Sequence, residues 1–380
     1  MALDCFNSYL EINMRIFNMN IHSLLASIPE GTQMIPVLKG NAYGFGAVKM
    51  AEALSEFKEI QTFAVAQIGE GLELRKAGIG RDILVLGAFP GFQLPLAVKG
   101  KLLLTVFDVP TVEALEAEAA RQNCKVSVHI KIETGLNRIG VKPGEKLAEL
   151  LQALAGAPHL QVKGCFTHFV DGEHPDSPLA KRQFALYQKA VEQIRAAGFP
   201  IPLCHVCNSG ASEWFREAFL DGVRIGRRMY MDSRDGPKQP GSPGAVEELA
   251  SWRTSIVNIH EVPAGESVGY DAAFVADRPT KVATVCVGYG DGLFSGLVSA
   301  KSPCLVKNEL ANYIGICMDQ SFLDVTGIDC RVGDEVTIFG RSSGGAFLSA
   351  QELAKTVGHE GVFFTSALSN RVERRYILKE

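Results

Sequence analysis

The sequence predicts an α/β fold in which a (β/α)8 TIM-like barrel is followed by a mostly β C-terminal domain. Up to about residue 230, apolar strand-like runs alternate at short intervals with segments of helical spacing. About eight βα units of this kind match a closed parallel barrel better than an open doubly wound sheet, which would also need a Gly-x-Gly-x-x-Gly turn after its first strand. Beyond a Gly- and Pro-rich segment, the pattern changes to short β runs separated by glycine-rich turns.

The strand candidates of the first part are each followed by a loop or a helical segment. They are Leu10–Asn13, Met34–Leu38, Thr62–Ala66, Asp82–Gly87, Leu102–Val106, Val126–Ile132, Val162–Thr167, Leu203–Cys207 and Gly222–Ile225. The helical patterns between them include Ala47–Leu54 and Glu70–Gly78, and the second ends on a glycine, as helices commonly do. Because barrel enzymes carry their chemistry at the carboxyl ends of the strands, the loops after these runs are the places to look for a site.

The segment 232–244 is rich in Gly, Pro and charged residues, and the βα rhythm ends there. We therefore expect a barrel domain over residues 1–240, whose first residues are able to pack on the β domain, and a β-rich domain over residues 241–380. The β runs predicted in the second domain are Ser251–His260, Val282–Val287, Cys304–Val306, Tyr313–Cys317 and Glu335–Phe339. One helix near Ser349–Val357 interrupts them.

The composition excludes several classes of protein. With 380 residues, 47% of them hydrophobic, and a formal net charge of −4, the chain can bury a large core and has no basic stripe for nucleic acid. No run approaches the ~18 apolar residues of a membrane span, and the N-terminus lacks the layout of a secretory signal. Nine scattered cysteines suit reduced, buried thiols better than a disulfide framework. We expect a cytoplasmic protein without a nucleic-acid or membrane partner.

Two places have spacing that could suit a metal, and neither favours one. Cys204 and Cys207 have redox or metal spacing, but no second pair stands at ligand distance, and their alternation is that of an ordinary strand. His174 follows His168 in a loop with acidic residues that lacks a helical His-Glu-x-x-His frame. We therefore expect no metal site.

Lys39 ends the apolar run Met34–Leu38 and is followed by a turn rich in glycine. A strand buried on both faces rarely ends on an ammonium, because an unpaired charge is costly to remove from water and a desolvated lysine tends to lose its proton. Such a lysine is a candidate imine-forming nucleophile. The alternative is a lysine that only extends from a strand end to solvent.

The octapeptide Lys39–Gly46, Lys-Gly-Asn-Ala-Tyr-Gly-Phe-Gly, resembles the pyridoxal-phosphate lysine motif of the alanine racemase family. Members of that family differ mainly by Ala and His at its second and seventh places. Further motifs of the family occur in the same order along almost the whole chain. The resemblance implies pyridoxal 5′-phosphate as the cofactor, Lys39 as its lysine and as a catalytic base, and Tyr43 as a cofactor contact.

The segment Lys131–Gly140 follows another predicted strand and contains a lysine, a carboxylate and an arginine. The planar guanidinium of Arg138 can hold a substrate carboxylate with two hydrogen bonds, although a surface salt bridge is the commoner role of a loop arginine. In the family the matching lysine is often carbamylated and steadies the matching arginine, which implies these roles for Lys131 and Arg138. His168, at the next strand end, is more often a core residue in such a place, but the resemblance sets its imidazole beside the cofactor ring.

Two later turns have the composition of a phosphate site. One, His205–Ala211, has the hydroxyl of Ser209 and free backbone N–H groups, and the other, Val223–Arg227, has a glycine that allows close approach of the backbone. The last two such turns of (β/α) barrels commonly bind phosphate, although Asn-Ser-Gly is also the composition of a plain turn. The resemblance implies phosphate contacts from Ser209 and from the backbone amides of Gly226 and Arg227.

Arg224 lies in the same turn, where the family sets an arginine against the pyridine nitrogen of the cofactor. A guanidinium does not give up its proton and therefore leaves the pyridine largely neutral. A neutral ring is a weaker electron sink, which disfavours side reactions that resemble transamination.

The resemblance extends to three residues of the second domain. Tyr270, in Gly269–Phe274, matches the second catalytic base, and Met318, in Cys317–Gln320, matches a methionine whose backbone N–H contacts the substrate carboxylate. Asn370 stands where many alanine racemases have a tyrosine that narrows the substrate pocket. In the family, a head-to-tail homodimer brings the tyrosine and the methionine from the other subunit, so a homodimer with shared active sites is expected.

The reaction expected from these motifs is racemisation of alanine. Two bases, Lys39 and Tyr270, on opposite faces of the substrate α-carbon meet the geometric requirement for inverting a stereocentre. Serine is a second expected substrate, as in the serine racemases of this fold linked to glycopeptide resistance, because the shorter Asn370 widens the pocket and offers an amide to a hydroxymethyl group. Two alternatives remain: a decarboxylase of the same architecture, against which Arg224 and the lack of a Cys-centred motif count, and a non-catalytic protein that binds the cofactor and an amino acid.

Overall fold

The computed structural model describes residues 6–175, 177–231 and 242–378. They fall into two compact units, one of residues 24–228 and one that combines residues up to 23 with residues from 229 onward. The domain boundary predicted at residue 240 lies outside the described residues. None of the helices in the described ranges is both long enough and apolar enough to cross a membrane.

The strands are short except for β10 of the second unit. In chain order they are β1 (Tyr9–Asn13), β2 (Gln33–Pro36), β3 (Thr62–Val65), β4 (Asp82–Val85), β5 (Leu103–Val106), β6 (Val126–Lys131), β7 (Leu160–Phe166), β8 (Leu203–His205), β9 (Gly222–Ile225), β10 (Ala250–Val262), β11 (Ser267–Val268), β12 (Phe274–Val275), β13 (Thr280–Val285), β14 (Pro303–Val306), β15 (Glu309–Ile316), β16 (Ser321–Asp324), β17 (Glu335–Arg341), β18 (Phe347–Leu348) and β19 (Glu373–Ile377). The right-handed helices are Met14–Ala26, Ala47–Ser55, Ile68–Lys76, Leu94–Lys99, Val109–Arg121, Glu145–Ala155, Pro178–Ala196, Gly296–Ser299, Ala350–Thr356 and Val362–Ala367.

Eight parallel strands form the barrel of the first unit. Strands β3 to β8 make one parallel sheet in chain order, and β2 pairs in parallel with β9. Backbone hydrogen bonds join the two sheets at both edges: Leu38 N donates to Ala64 O at 2.7 Å, and Arg224 N donates to Cys207 O at 3.0 Å. The structure confirms the predicted TIM-like barrel.

The barrel strands are apolar because both of their faces are buried. Strands β3, β5 and β9 are buried along their whole length. Two of the helices that cover them begin at polar caps that the sequence supplies. Asp108 accepts a hydrogen bond from Thr111 N at 2.8 Å at the start of Val109–Arg121, and Ser177 caps Pro178–Ala196 with proline at the first position.

The second unit is built on a nine-stranded sheet in the order β18-β17-β14-β15-β16-β13-β10-β1-β19. All of its pairings are antiparallel except that of β1 with β19. The run Leu10–Asn13 therefore contributes to this sheet and not to the barrel. Its alternation buries Leu10 and Ile12 completely, next to Trp252 on β10. The structure confirms the predicted β-rich second part.

Candidate active site

Lys39 lies at the carboxyl end of β2, in the mouth of the barrel. Its side chain is exposed in this chain, but its amine stands among groups that shift its acidity. Partial burial, followed by the charge of Arg138, lowers the pKa of the Lys39 amine, while Glu70 raises it and Arg224 lowers it further. A lowered pKa makes the neutral, nucleophilic amine available closer to neutral pH.

A single left-handed turn follows Lys39. Gly40, Asn41 and Ala42 have φ of 61°, 54° and 54° with ψ near 44–50°, and Tyr43 continues it with φ of 56°. Three of the four are L-residues with side chains, for which this conformation costs roughly 1–2 kcal/mol each. The turn is closed by a hydrogen bond from Gly44 N to the carbonyl of Gly40 at 2.9 Å. The sequence predicted a glycine-rich turn here, but not its handedness.

Tyr43, Ser209 and Gly226 meet at one point of the barrel mouth. The backbone N–H of Gly226 donates to Ser209 Oγ at 3.0 Å. A Cβ on Gly226 would stand 2.2 Å from the hydroxyl of Tyr43, so only glycine leaves room for it. Burial is the main cause that raises the pKa of Tyr43 to about 12, which keeps its hydroxyl a hydrogen-bond donor. Two hydroxyls and a backbone amide at one point fit a phosphate group.

Arg227 turns its side chain to an acidic partner. Its Nη2 pairs with Oε1 of Glu173 at 3.0 Å, and the guanidinium is almost fully buried. Glu173 belongs to the loop after β7, and its Cγ would lie 2.3 Å from a Cβ on Gly210. The loop after β7 is therefore packed directly on the turn that carries Ser209.

Arg224, on β9, is buried and donates five hydrogen bonds. Nη1 donates to the ring Nδ1 and the carbonyl of His205 at 2.9 and 2.7 Å. Nη2 donates to the carbonyls of Thr167 and Val206 at 2.8 and 3.1 Å and to Nδ1 of His168 at 3.2 Å. Burial lowers the pKa of Arg224 to about 10, so it is still a cation at neutral pH. These bonds fix the guanidinium within the barrel mouth.

The two histidines that face Arg224 are neutral. Burial, followed by the charge of Arg224, lowers the pKa of His168 and of His205 well below the usual range. His205 Nε2 lies 3.0 Å from Nδ1 of His129 on β6, and burial lowers the pKa of His129 to about 3. A chain of hydrogen bonds therefore runs from Arg224 through His205 to His129 across the barrel interior.

Lys131 and Arg138 are two further basic side chains of the barrel mouth. Lys131 is 3% exposed, and its Nζ lies 4.7 Å from the ring centre of Phe166. Burial, followed by Arg224 and Arg138, lowers the pKa of Lys131 well below its usual range. Arg138 is exposed and has no hydrogen-bond or ion-pair partner within the part of the chain that the structure describes. Its guanidinium is free to bind an anionic group.

The three site residues predicted for the β-rich domain lie in the second unit. Tyr270 is 79% exposed and Met318 52%, and Asn370 is exposed as well. The segment of Met318 is held by backbone hydrogen bonds from Tyr289 N to Cys317 O and from Gly290 N to Met318 O, at 3.0 and 2.9 Å. Tyr270 begins the 3-10 turn Tyr270–Ala272, and Met318 lies in the turn between β15 and β16.

The first unit thus brings nine of the predicted residues to the strand ends of one barrel. They are Lys39, Tyr43, Lys131, Arg138, His168, Ser209, Arg224, Gly226 and Arg227. Sequence reasoning missed His205 and Glu173, which contact Arg224 and Arg227, and His129, which contacts His205. The alternation of polar and apolar residues in Val126–Ile132 and Leu203–Cys207 predicted strands, but it carried no signal that the two histidines meet. Among the described residues, no group of three or more His, Cys, Asp or Glu side chains could hold a metal ion.

Comparison with protein families gives two matches that together span nearly the whole chain. Residues 12–234 match the model of the alanine racemase N-terminal domain, and residues 249–376 match that of the alanine racemase C-terminal domain. Among similar proteins, alanine racemase 2 of Caldanaerobacter subterraneus subsp. tengcongensis is 33% identical, with 97% of this chain and 95% of the relative covered. The alanine racemase of Desulfosudis oleivorans is also 33% identical, with 98% and 97% covered.

Solved structures show the same likeness. The alanine racemase of Bacillus anthracis with bound L-Ala-P has a TM-score of 0.92 at 28% identity, with 99% of this chain and 96% of that chain covered. The alanine racemase of Streptomyces coelicolor A3(2) has a TM-score of 0.89 at 26% identity, with 98% of each chain covered.

Proposed function

Because the chain belongs to the alanine racemase family, we propose that it is a pyridoxal-phosphate-dependent isomerase that interconverts L- and D-alanine. The observation that carries the proposal is Lys39, an amine of lowered pKa at the mouth of a barrel whose other loops hold a set of anion-binding donors. Relatives about one third identical over their full length bear the name of this activity. The product class is therefore a D-amino acid.

Residues of the barrel mouth fit the cofactor. Ser209, Tyr43 and the amide of Gly226 would hold its phosphate, Lys39 would attach it covalently, and Arg224 would face its ring nitrogen. When bound, the cofactor accepts electron density from the substrate α-carbon as the proton leaves. Arg224 keeps its own proton, and this supports a racemase over a decarboxylase, whose chemistry uses a stronger electron sink.

The chain supplies two groups that can move the α-proton. The Lys39 amine would hold or release it on one face of the α-carbon, and the Tyr270 hydroxyl would do so on the other. Arg138 would bind the substrate carboxylate, with the backbone N–H of Met318 as a second donor. The lowered pKa of Lys39 supports its part, because a protonated amine cannot accept a proton.

We propose a homodimer in which Tyr270 and Met318 of one copy complete the site of the other. The exposure of Tyr270, 79%, and of Met318, 52%, supports a surface that a second copy covers. The test is subunit mixing of two inactive variants, Lys39→Ala and Tyr270→Phe. Mixed dimers would contain one intact site, so activity should return to about a quarter of wild type. If each site lay within one chain, mixing would restore nothing.

Lys131 is proposed to carry a carbamate that steadies Arg138. Carbamate formation with carbon dioxide needs a neutral amine, and burial lowers the pKa of Lys131 well below its usual range. The added carboxylate would place a negative charge among Arg138, Arg224 and Lys39. It would thus give the guanidinium of Arg138 a fixed partner within the site.

Serine is proposed as a second substrate, and Asn370 as the residue that admits it. The side chain of Asn370 is shorter than the tyrosine side chain that many family members have there, and its amide offers hydrogen bonds to a hydroxymethyl group. The measurement is kcat/KM for L-serine and L-alanine in the wild type and in Asn370→Tyr. The proposal expects the tyrosine variant to discriminate more strongly against serine, and an unchanged ratio would remove it.

The two-base assignment is tested by single variants. Lys39→Ala should abolish both the visible absorbance band that reports covalent attachment of the cofactor and nearly all turnover. Tyr270→Phe should impair α-proton exchange with solvent from one enantiomer more than from the other, because it removes the base on one face only. Equal losses from both enantiomers would contradict the assignment.

Eight free cysteines among the described residues support the further proposal of a cytoplasmic, reducing location.

A further inference from the structure

Glu70 connects two loops of the barrel mouth through three hydrogen bonds to backbone amides. It is the third residue of the helix Ile68–Lys76, which follows β3, and its Oε2 accepts from Ala66 N at 2.8 Å and Gln67 N at 3.0 Å. Its other oxygen, Oε1, accepts from Gly40 N at 2.6 Å, in the loop after β2. Each oxygen of the carboxylate thus serves a different loop.

Gly40 is the first residue of the left-handed turn that follows Lys39. Two side-chain hydrogen bonds hold the first two residues of the turn. Gly40 N donates to Glu70, and the side chain of Asn41 accepts from Ala47 N at 2.7 Å, at the start of the next helix. Because L-residues disfavour this conformation, the turn persists only where its surroundings hold it. Among the described residues, Glu70 is the side chain from outside the turn that hydrogen-bonds to the residue next to Lys39.

We propose that Glu70 is a positioning residue that holds the left-handed turn closed and thereby fixes where the Lys39 amine stands. This inference rests on the proposed function in so far as Lys39 is the cofactor-bearing lysine. A carboxylate suits the task because both of its oxygens only accept hydrogen bonds. A glutamine would turn its NH2 group toward one of the two sets of backbone donors and leave that set unpaired.

The charge of Glu70 also acts on the Lys39 amine. Glu70 raises the pKa of Lys39, whereas burial and the charges of Arg138 and Arg224 lower it. Glu70 is thus the carboxylate that opposes those two guanidinium groups at the Lys39 amine. Its negative charge at the first turn of Ile68–Lys76 also matches the positive end of that helix.

The test uses Glu70→Gln, with Glu73→Gln as the matched control. Glu73 lies on the same helix and is exposed, and its side chain makes no hydrogen bond within the described residues. Glu70→Asp, which keeps the charge but withdraws it by one methylene, serves as the second variant if the glutamine form does not fold. Two quantities are measured on cofactor-free protein: hydrogen exchange of the peptide 39–46, and the rate at which Lys39 attaches pyridoxal phosphate, trapped by borohydride and quantified by mass spectrometry.

We expect Glu70→Gln to exchange at least about tenfold faster in the peptide 39–46 and to attach the cofactor at least about tenfold more slowly, while Glu73→Gln matches the wild type. Glu70→Asp should show both effects to a smaller degree. Faster exchange with normal attachment would overturn the positioning role, and so would slow attachment with normal exchange. If the wild type itself attaches no cofactor, the proposed function fails, whereas unchanged exchange in Glu70→Gln refutes the role of Glu70 alone.

Discussion

The guanidinium of Arg224 donates from Nη1 to Nδ1 of His205 at 2.9 Å, and this bond determines the tautomers of two buried histidines. Arginine can only donate, so His205 Nδ1 accepts and the ring proton is on Nε2. His205 Nε2 then donates to Nδ1 of His129 at 3.0 Å, which leaves the proton of His129 on its own Nε2. Both rings are neutral because burial and the charge of Arg224 lower their pKa values.

We expect the barrel unit to lose stability as the pH falls below about 6.5, the ordinary pKa of histidine. His129, His168 and His205 stay neutral in the folded protein because burial lowers their pKa values, that of His129 to about 3. In this window the unfolded chain binds more protons, so stability rises with pH, by up to about 1.4 kcal/mol per pH unit for each histidine. Urea denaturation at pH 7.5 and 5.0 measures the slope. His129→Gln should reduce this slope. A free energy of unfolding that does not change between the two pH values would contradict the assignment of neutral histidines.

Replacing Arg224 should cost more stability than replacing an exposed arginine. Arg224→Gln leaves the carbonyls of Thr167, His205 and Val206 without the donor they have now. An unsatisfied buried carbonyl costs about 1–3 kcal/mol, so the free energy of unfolding should fall by at least about 3 kcal/mol. Arg216→Gln is the control, because Arg216 is exposed and should change stability by less than about 1 kcal/mol. Similar losses in both variants would contradict the structural role of Arg224.

Gly226→Ala should weaken cofactor binding. The added methyl would stand 2.2 Å from the hydroxyl of Tyr43, so either this hydroxyl or the loop must move. Loss of one charge-assisted hydrogen bond to the phosphate predicts at least about a tenfold rise in the Kd for pyridoxal phosphate. Gly91→Ala is the control, since a Cβ there meets nothing within 4 Å. Fluorescence titration of the cofactor-free proteins measures both constants, and equal Kd values would place the phosphate elsewhere.

Lys131 should take up carbon dioxide near neutral pH. Burial lowers the pKa of its amine well below the usual range and so favours the neutral form that carbamate formation needs, whereas pairing with Glu149 raises the pKa of the exposed Lys146. Protein in ¹³C-bicarbonate should therefore show a carbamate carbon signal that Lys131→Gln removes and Lys146→Gln leaves intact. Persistence of the signal in Lys131→Gln would assign it to another amine.

The βα part of the fold was predictable because its strands are buried on both faces and read as continuous apolar runs. The run Thr62–Ala66, for example, contains β3 (Thr62–Val65), which is buried along its whole length. Leu10–Asn13 shows the limit of this reasoning, because its alternation identifies a strand but not the sheet that it joins. The helix Val362–Ala367 was missed because its short apolar sequence, Val-Phe-Phe-Thr-Ser-Ala, has no helical periodicity.

The candidate site was predictable where the residue type by itself indicates the chemistry, as for Lys39 at a strand end. Residues that act through others were not predictable. Glu70 reads as an ordinary member of an amphipathic helix, and its bond to Gly40 joins positions thirty residues apart in different loops. The capping pattern of Gln67 and Glu70 was a signal that could have marked it. The left-handed turn after Lys39 had no local signal beyond its glycines.

The proposed activity is inversion at the α-carbon of alanine. The direct measurement is the enantiomer ratio of alanine, by polarimetry or chiral chromatography, after incubation with purified protein and pyridoxal phosphate. L-Alanine and D-alanine should each converge on an equal mixture of the two. If either enantiomer keeps its optical rotation while the protein carries covalently attached cofactor on Lys39, the proposed function is contradicted.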